Sequence, residues 1–298
     1  MELSTLTRQE WRPAQEAHAA RVDALTAGIR DRAARGEKHP IEDFLVEYYG
    51  HSPGRLRRWE PGPGRVLLDA ADAGCAGRSH HRTDADGTVR LDTEAFVARR
   101  GRTVRFVRDL LAAPLSRPAA TACFGLHEWA MVYRLAPGQQ RHEALPLRLT
   151  QAETDAVVEG HRIRCSHFDA YRFFTADARP RNTLRPTRET QIHHEQPGCL
   201  HAGMDVYKWC FKLAPAVPSE LTADAFEHAL AVRLLDMQAS PYDLAAFDLP
   251  PVRIETSSGK AEFVDRQRDL VARSNALRHR LLGVCDALLL SAPAHPPA

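Results

Sequence analysis

The spacing of apolar and polar residues is helical along most of the 298-residue chain. Apolar residues recur three or four positions apart among charged ones, which is the pattern of helices with one buried face. Thr7 with Glu10, and Thr150 with Glu153, have the spacing of capping boxes, which mark helix starts. The helices predicted from these patterns run over 7–35, 39–50, 92–113, 119–135, 201–213, 222–237 and 261–290.

Few segments show the alternation expected of strands. Short strands are predicted only at 145–149 and 252–255, and no internal repeat or long linker divides the chain. The sequence therefore predicts a mainly α fold, a single compact helical domain over 1–291 with few short strands. A subdivision near 140–150 is left open, and a flexible Pro-rich tail is expected over 292–298.

The composition favours a cytoplasmic protein. No apolar run reaches the roughly eighteen residues of a membrane span, so no membrane partner is expected. The first eleven residues are polar and include acids, unlike a secretory signal. Six cysteines occur without CxxC spacing, which favours free thiols in a reducing compartment over disulfides.

The charge is nearly balanced, with a formal net charge of +2. No overall field is therefore expected to attract nucleic acid. The 40 basic residues are almost all arginine, whose planar side chain binds phosphate or carboxylate through two parallel hydrogen bonds. Arginines concentrate over 99–108 and 162–188, where they form either solvated surfaces or phosphate contacts.

Four segments place ionisable residues among apolar or aromatic ones: 125–129, 165–171, 187–191 and 199–209. Burying ionisable groups is costly unless they pair or bind something. Because the four segments are close in sequence, we expect them to share one polar pocket between Phe124 and Trp209.

Metal binding is one possible use of this pocket. Histidine and carboxylate side chains suit zinc or non-haem iron, and His201 and Asp205 are four residues apart, on one face of a helix. The HExxH and Glu-x-x-His spacings are absent, so hydrogen-bonded interior pairs are the alternative. The candidate ligands are His127, His167, His201, Glu128, Asp169, Glu189 and Asp205.

Aromatic residues flank the same polar positions. Rings such as Trp129, Tyr171 and Tyr207 could stack on a flat, positively charged alkylated purine. A nearby carboxylate could then activate water or stabilise the charge that develops on the sugar. The alternative is that these rings only pack in the core. GxGxxG, P-loop and GxSxG motifs are absent from the sequence.

Five stretches resemble a known family. They are 37–44 (EKHPIEDF), 124–133 (FGLHEWAMVY), 167–174 (HFDAYRFF), 186–191 (PTRETQ) and 198–209 (GCLHAGMDVYKW). They are similar to those of an actinobacterial family commonly labelled 3-methyladenine DNA glycosylase. The similarity extends from Trp11 to about Leu282.

This resemblance implies a DNA glycosylase that excises alkylated purines, with DNA as its partner and no cofactor. The catalytic carboxylate is then sought among Asp169, Asp205, Glu128 and Glu189. The substrate-binding candidates are His127, Trp129, His167, Tyr171, Arg188, His201, Tyr207 and Lys208.

Two other hypotheses stay open. One is a helical metalloenzyme that uses iron or zinc on a small molecule. The other is a non-catalytic interaction protein, which the many ionisable residues beside aromatic ones disfavour.

Overall fold

The computed structural model describes residues 3–121, 123–136, 138–140 and 145–291. Over these residues the protein is mainly α, as predicted, with twelve α-helices and a small sheet. No described helix is long and apolar enough to cross a membrane. The helices are α1 (Arg8–Leu25), α2 (Ala27–Arg35), α3 (Phe44–Tyr49), α4 (Pro53–Leu56), α5 (Thr93–Leu115), α6 (Leu126–Ala130), α7 (Gln151–Glu159), α8 (Phe168–Tyr171), α9 (Gln191–His194), α10 (Leu200–Lys212), α11 (Ser219–Gln238) and α12 (Ser257–Leu290).

The helix ends follow the capping residues seen in the sequence. Thr7 and Thr150 form the predicted capping boxes of α1 and α7. Gly36 ends α2 with a left-handed φ of 70°, which glycine adopts without a steric penalty. The predicted helix 7–35 is divided at Thr26, whose hydroxyl donates to the carbonyl of Val22 across 2.7 Å.

Two other predicted helices are shorter in the structure. Among the described residues of 119–135, α6 is the one helix that forms, because Phe124 and Gly125 have φ values of 48° and 71° and interrupt a right-handed helix. The helix predicted from His39 begins at Phe44. Before it, the carboxylate of Asp43 accepts a hydrogen bond from the backbone N–H of His39 at 2.8 Å and holds a turn.

The two predicted strands were wrong. Within 145–149, the pairing that the described residues make is an isolated bridge between Leu147 and Tyr242. The described residues 252–255 form no strand. The observed sheet comes from three-residue strands, too short to show an alternating pattern. The strands are β1 (Ser4–Leu6), β2 (Arg65–Leu67), β3 (His81–Thr83) and β4 (Val89–Leu91), in the order β1-β2-β4-β3.

The sheet is parallel between β1 and β2 and antiparallel elsewhere. Its buried residues Leu67 and Val89 pack in one core cluster with Trp11 and Trp59. The indole N–H groups of both tryptophans are satisfied, by the Leu68 carbonyl and a Glu220 carboxylate. The sheet is therefore held by large buried rings, which carry much burial energy.

The described chain divides into two compact units. The first comprises Met1–Ala112, Val206–Glu227 and Ala276–Ala298, and the second comprises Ala113–Asp205 and His228–Asn275. The subdivision expected near 140–150 stays a prediction, because 141–144 lie outside the described residues. Compactness does not test independent folding, so the single domain over 1–291 stays a prediction, and the tail over 292–298 lies outside the described residues.

The predicted helices 201–213, 222–237 and 261–290 correspond to α10, α11 and α12 within a few residues. All six cysteines lie in described positions and are free thiols, as predicted. Within α11, Arg233 and Asp236 are each only 1% exposed. Buried charges of this kind need partners, and the partners define the candidate site.

Candidate functional site

The candidate site lies in the second unit, where α6, the first turns of α10 and the end of α11 each contribute a donor side chain. Gly125 opens α6 in the left-handed region, and Ala239 would lie 3.4 Å from a Cβ added there. The short helix that follows carries His127 and Glu128, both buried. A tight turn thus directs two consecutive ionisable residues into the core.

His127 is paired on both ring nitrogens. Its Nε2 donates to Asp236 Oδ1 across 2.8 Å, and its Nδ1 lies 3.8 Å from Cys123 Sγ. Burial acts to lower the pKa of His127, but the Asp236 carboxylate outweighs it and holds that pKa well above 6.5. Burial acts in the opposite sense on Asp236, and the cationic His127 keeps the Asp236 pKa below its ordinary value. Around neutral pH the two form a buried ion pair.

His201 is the third donor of this cluster. Its ring centroid lies 4.4 Å from that of His127, with the two rings nearly perpendicular. Burial, followed by the neighbouring His127 cation, lowers the pKa of His201 well below 6.5. One donor atom from each of His127, His201 and Asp236 lies within 4.8 Å of the other two. A neutral imidazole therefore stands beside a carboxylate and a second imidazole.

A second cluster surrounds His167, whose ring centroid lies 5.5 Å from that of His201. Its Nδ1 is 3.5 Å from Glu195 Oε1, and its Nε2 is 3.6 Å from Asp205 Oδ2. The same Glu195 oxygen accepts a 2.6 Å hydrogen bond from Gln191 Nε2. His167 Nδ1 is buried and, although Glu195 lies nearby, has no hydrogen-bond partner among the described residues.

Asp169 belongs to the same neighbourhood. Donor atoms of His167, Asp169 and Asp205 lie within 4.8 Å of one another, which makes a second potential ligand set. Asp169 also has cations nearby, with Arg172 Nε at 3.5 Å and an Arg188 nitrogen at 3.7 Å. Asp169 is more exposed than Asp205, with 13% of its side chain accessible against 3% of the Asp205 side chain.

Arg233 balances the carboxylates of the first cluster. Its Nη1 lies 3.1 Å from Glu128 Oε1 and 3.5 Å from Asp236 Oδ2, and all three side chains are buried. Arg233 and Asp236 are three residues apart on α11, so they share a helix face. Two carboxylates, one guanidinium and the His127 imidazole thus form a continuous charged network.

A small cavity opens beside the histidines. It is lined by His127, His201 and three thiols, and its volume is about 10 Å³, the space of about one water molecule. Burial raises the pKa of Cys199 to about 12 and that of Cys165 well above 9, so these thiols stay protonated. The cavity has room for a single ion or water and is too small for a purine base. The lining thiols are Cys123, Cys165 and Cys199.

Several predicted site residues come together in these clusters: His127, His167, His201, Asp169 and Asp205. Glu128 joins through Arg233 rather than as a potential ligand. Glu189 is exposed and belongs to neither potential ligand set of this unit. Arg188 is exposed as well, and its guanidinium lies 5.3 Å from the Phe168 ring centroid.

Two of the predicted aromatic residues, Trp129 and Tyr171, pack against neighbouring side chains of this unit. Trp129 is fully buried, its indole N–H donates to the Ala239 carbonyl at 2.9 Å, and Arg148 covers its ring. Tyr171 packs edge-on against Phe174, with ring centroids 5.2 Å apart. These contacts leave the Trp129 ring no accessible face for a substrate.

Tyr207 and Lys208 belong to the first unit. The Tyr207 hydroxyl forms a 2.7 Å hydrogen bond with His51 Nδ1, and the Lys208 ammonium lies 4.8 Å from the ring centroid of Trp209. Within that unit both side chains therefore have their own neighbours.

Four residues of the site were not named as candidates from the sequence: Arg233, Asp236, Glu195 and Gln191, the last of which ends the predicted segment 187–191. Arg233 and Asp236 lie in an otherwise apolar stretch of α11, at a spacing that puts them on one face. That pattern could have revealed them, since charged residues facing a core must be paired. Glu195 follows two histidines in a short polar segment, and nothing local distinguishes it from a surface residue.

Comparison with known proteins assigns no family. The chain matches no protein-family model, no curated protein and no solved structure. The resemblance carried by the five sequence stretches therefore stays a prediction.

Proposed function

We propose that the protein is a metal-dependent hydrolase in which His127, His201 and Asp236 hold one zinc or iron(II) ion. The observation that carries this proposal is the convergence of three donor atoms, within 4.8 Å of one another, from three separate helices. Two histidines and one carboxylate form a ligand set used by catalytic zinc and non-haem iron sites. The adjacent cavity of about 10 Å³ suits an ion or a water molecule.

The protonation states of the donors fit this proposal. The low pKa of His201 keeps its lone pair available, and the low pKa of Asp236 keeps it anionic. His127 carries a proton in the ion pair and must release it to become a ligand. Metal binding is therefore expected to strengthen as the pH rises.

An ion held by these residues would act as a Lewis acid that activates water. His167 lies beside this site, with its ring centroid 5.5 Å from that of His201 and its two nitrogens facing the Glu195 and Asp205 carboxylates. It would accept the proton from the attacking water and return it to the leaving group. Arg233 would hold Glu128 and Asp236 in place, so that the ligand set keeps its geometry.

The test is the metal content of full-length protein purified without a histidine tag. We expect about one zinc or iron per chain by elemental analysis, since three protein ligands suffice for a catalytic site. His201→Ala should lower metal affinity by at least about 100-fold, because it removes a ligand rather than a residue that only orients one.

The matched control is His193→Ala, because His193 is an exposed histidine of the same unit. It should leave the metal content unchanged. Wild-type protein with less than about 0.2 metal per chain, and no thermal stabilisation by added zinc or iron, would contradict the proposal.

A second candidate is the DNA glycosylase that the sequence resemblance implies. It is favoured by Asp169, a partly accessible carboxylate with Arg172 and Arg188 within 4 Å. Arg188 also lies over the Phe168 ring, so a carboxylate, two cations and an aromatic ring are grouped at one surface. In this candidate the arginines contact phosphate and Asp169 assists the cleavage of the base.

Release of 3-methyladenine from methylated DNA, measured with and without EDTA, tests this candidate. Asp169→Asn should reduce release by at least about 100-fold, since it removes the group that assists cleavage. Asp177→Asn, at an exposed carboxylate of the same unit, should have no effect. If the wild type releases no base at any salt concentration, the glycosylase candidate is wrong and the metal proposal is unaffected.

A further inference from the structure

The first unit contains a large cavity that the proposed function does not use. Its volume is about 670 Å³, within the range of small-molecule sites. The cavity is lined at the same time by basic side chains and by aromatic rings. The basic side chains are Arg55, Arg58, Arg78, Arg100 and Lys212.

The positive charge of this cavity is only partly balanced. Glu60, the carboxylate in its lining, is already paired with Arg78 at 3.2 Å, and His81 Nε2 lies 3.0 Å from its other carboxylate oxygen. Among the described residues, no carboxylate forms an ion pair with Arg55 or Arg58. Both arginines are exposed, so their guanidinium groups are accessible to a ligand.

The positive charges of Arg55 and Arg58 act on His51, which lines the cavity. Burial lowers the pKa of His51 to about 4, and the Arg55 and Arg58 cations contribute to the lowering. His51 is therefore neutral at physiological pH. Among the described residues that line the cavity, Glu60 is the one carboxylate, and it is already paired with Arg78. Arg100 is fixed by a 2.8 Å hydrogen bond from its Nη2 to the Lys212 carbonyl, which pre-orients it.

The aromatic part of the lining consists of Tyr49, His51 and Phe211. The His51 and Phe211 rings stack with centroids 4.5 Å apart and an interplanar angle of 7°. Tyr49 packs edge-on against Phe211, with centroids 5.9 Å apart. Three packed rings form a rigid surface against which another flat ring can pack.

We infer that this cavity binds a nucleoside phosphate, with its phosphate groups on Arg55, Arg58 and Arg100 and its base against Phe211 and Tyr49. Arginine binds phosphate through parallel charge-assisted hydrogen bonds, which are stronger than neutral ones. An inorganic anion would use the cations alone, and a neutral nucleoside would use the rings alone. A ligand that carries both groups matches both parts of the lining. The inference concerns a different unit from the metal proposal and does not depend on it.

Isothermal titration calorimetry of the full chain with ADP, in the presence of EDTA, tests the inference. ADP should bind more tightly than either pyrophosphate or adenosine, because each of these lacks one of the two recognised groups. The double variant Arg55→Ala/Arg58→Ala should weaken ADP binding by at least about tenfold, since two charge-assisted contacts are lost. Both side chains are exposed, so the variant should fold, which circular dichroism verifies.

The matched control is Arg57→Ala. Arg57 lies between the two tested arginines in sequence but pairs with Asp23 at 3.0 Å and does not line the cavity. It should leave ADP binding unchanged. The inference is overturned if ADP does not bind at about 1 mM, the weak end of useful affinities. It is equally overturned if pyrophosphate binds as tightly as ADP or if Arg57→Ala loses as much affinity as the double variant.

A competition arm separates the two sources of a nucleoside phosphate. In this arm a short single-stranded oligonucleotide competes with ADP. If it displaces ADP from the wild type and binds the double variant at least about tenfold more weakly, the site is supported and its natural ligand is a nucleic-acid strand. If ADP binds more weakly to the double variant as expected and the oligonucleotide does not displace it, the site is supported and its natural ligand is a free nucleotide.

Discussion

Replacing Arg233 with methionine is expected to lower the free energy of unfolding by about 3–5 kcal/mol, the cost of breaking a buried ion pair by removing one partner. Arg233 is 1% exposed and lies within 4 Å of both the Glu128 and the Asp236 carboxylates. Methionine has a similar length, so it fills most of the volume while removing the charge. Two carboxylates in a low-dielectric interior then lose the cation between them. Urea unfolding at pH 7 measures the change.

The double variant Glu128→Gln/Arg233→Met separates charge from packing. Removing the Glu128 charge as well should recover part of the lost stability, with a coupling energy of roughly 0.5–3 kcal/mol for residues in one network. Arg266→Met is the matched control, because Arg266 is a more exposed arginine of the same unit. Equal losses for Arg233→Met and Arg266→Met would show that the buried network contributes nothing specific.

The fold was predictable where local chemistry decides it. The capping residues Thr7 and Thr150 act within one turn, so the starts of α1 and α7 could be predicted from sequence. The prediction of one helix over 119–135 was wrong because the φ values of Phe124 and Gly125 depend on the packing around them. An apolar run does not reveal a left-handed residue in its middle.

The candidate site was predictable only in part. His127, His167, His201, Asp169 and Asp205 stood out because they are ionisable residues among aromatic ones, and they do cluster. Which carboxylate faces which histidine depends on contacts between residues on different elements, far apart in the sequence. His127 lies beside Asp236, 109 residues away, and the sequence contains no indication of that pairing.

The aromatic residues illustrate the opposite difficulty. Trp129 lies next to two site residues in sequence, yet its ring is fully buried and its N–H is bonded to the Ala239 carbonyl. On a helix, adjacent side chains point about 100° apart, so a neighbour in sequence need not face the same pocket. The distinction between a stacking ring and a core ring depends on accessible surface, which composition does not supply.

Replacing Asp236 with asparagine is expected to have the other large effect. It removes a proposed metal ligand and the anion that keeps His127 protonated. In metal-free protein the loss should reach about 3–5 kcal/mol, as for any buried pair that loses one partner. Urea unfolding in EDTA, from pH 3 to pH 9, measures it against wild type.

The difference between the two proteins should depend on pH in a defined way. The folded pKa of His127 is raised, so its contribution is complete below 6.5 and is lost as the pH rises through the raised pKa. The folded pKa of Asp236 is lowered, so its contribution is present above 3.8 and is lost as the pH falls through the lowered pKa. The free energy of unfolding of the wild type should therefore exceed that of Asp236→Asn most between pH 3.8 and pH 6.5. The difference should become smaller below and above this range.

Asp269→Asn is the control, at an exposed carboxylate on α12 in the same unit. It should follow the wild-type profile within about 0.5 kcal/mol, as surface substitutions usually do. A gap between wild type and Asp236→Asn that stays constant from pH 3 to pH 9 would mean that His127 and Asp236 do not titrate as a pair. In that case the proton that a metal must displace would not be on His127, and metal affinity should show no dependence on pH above 6.5.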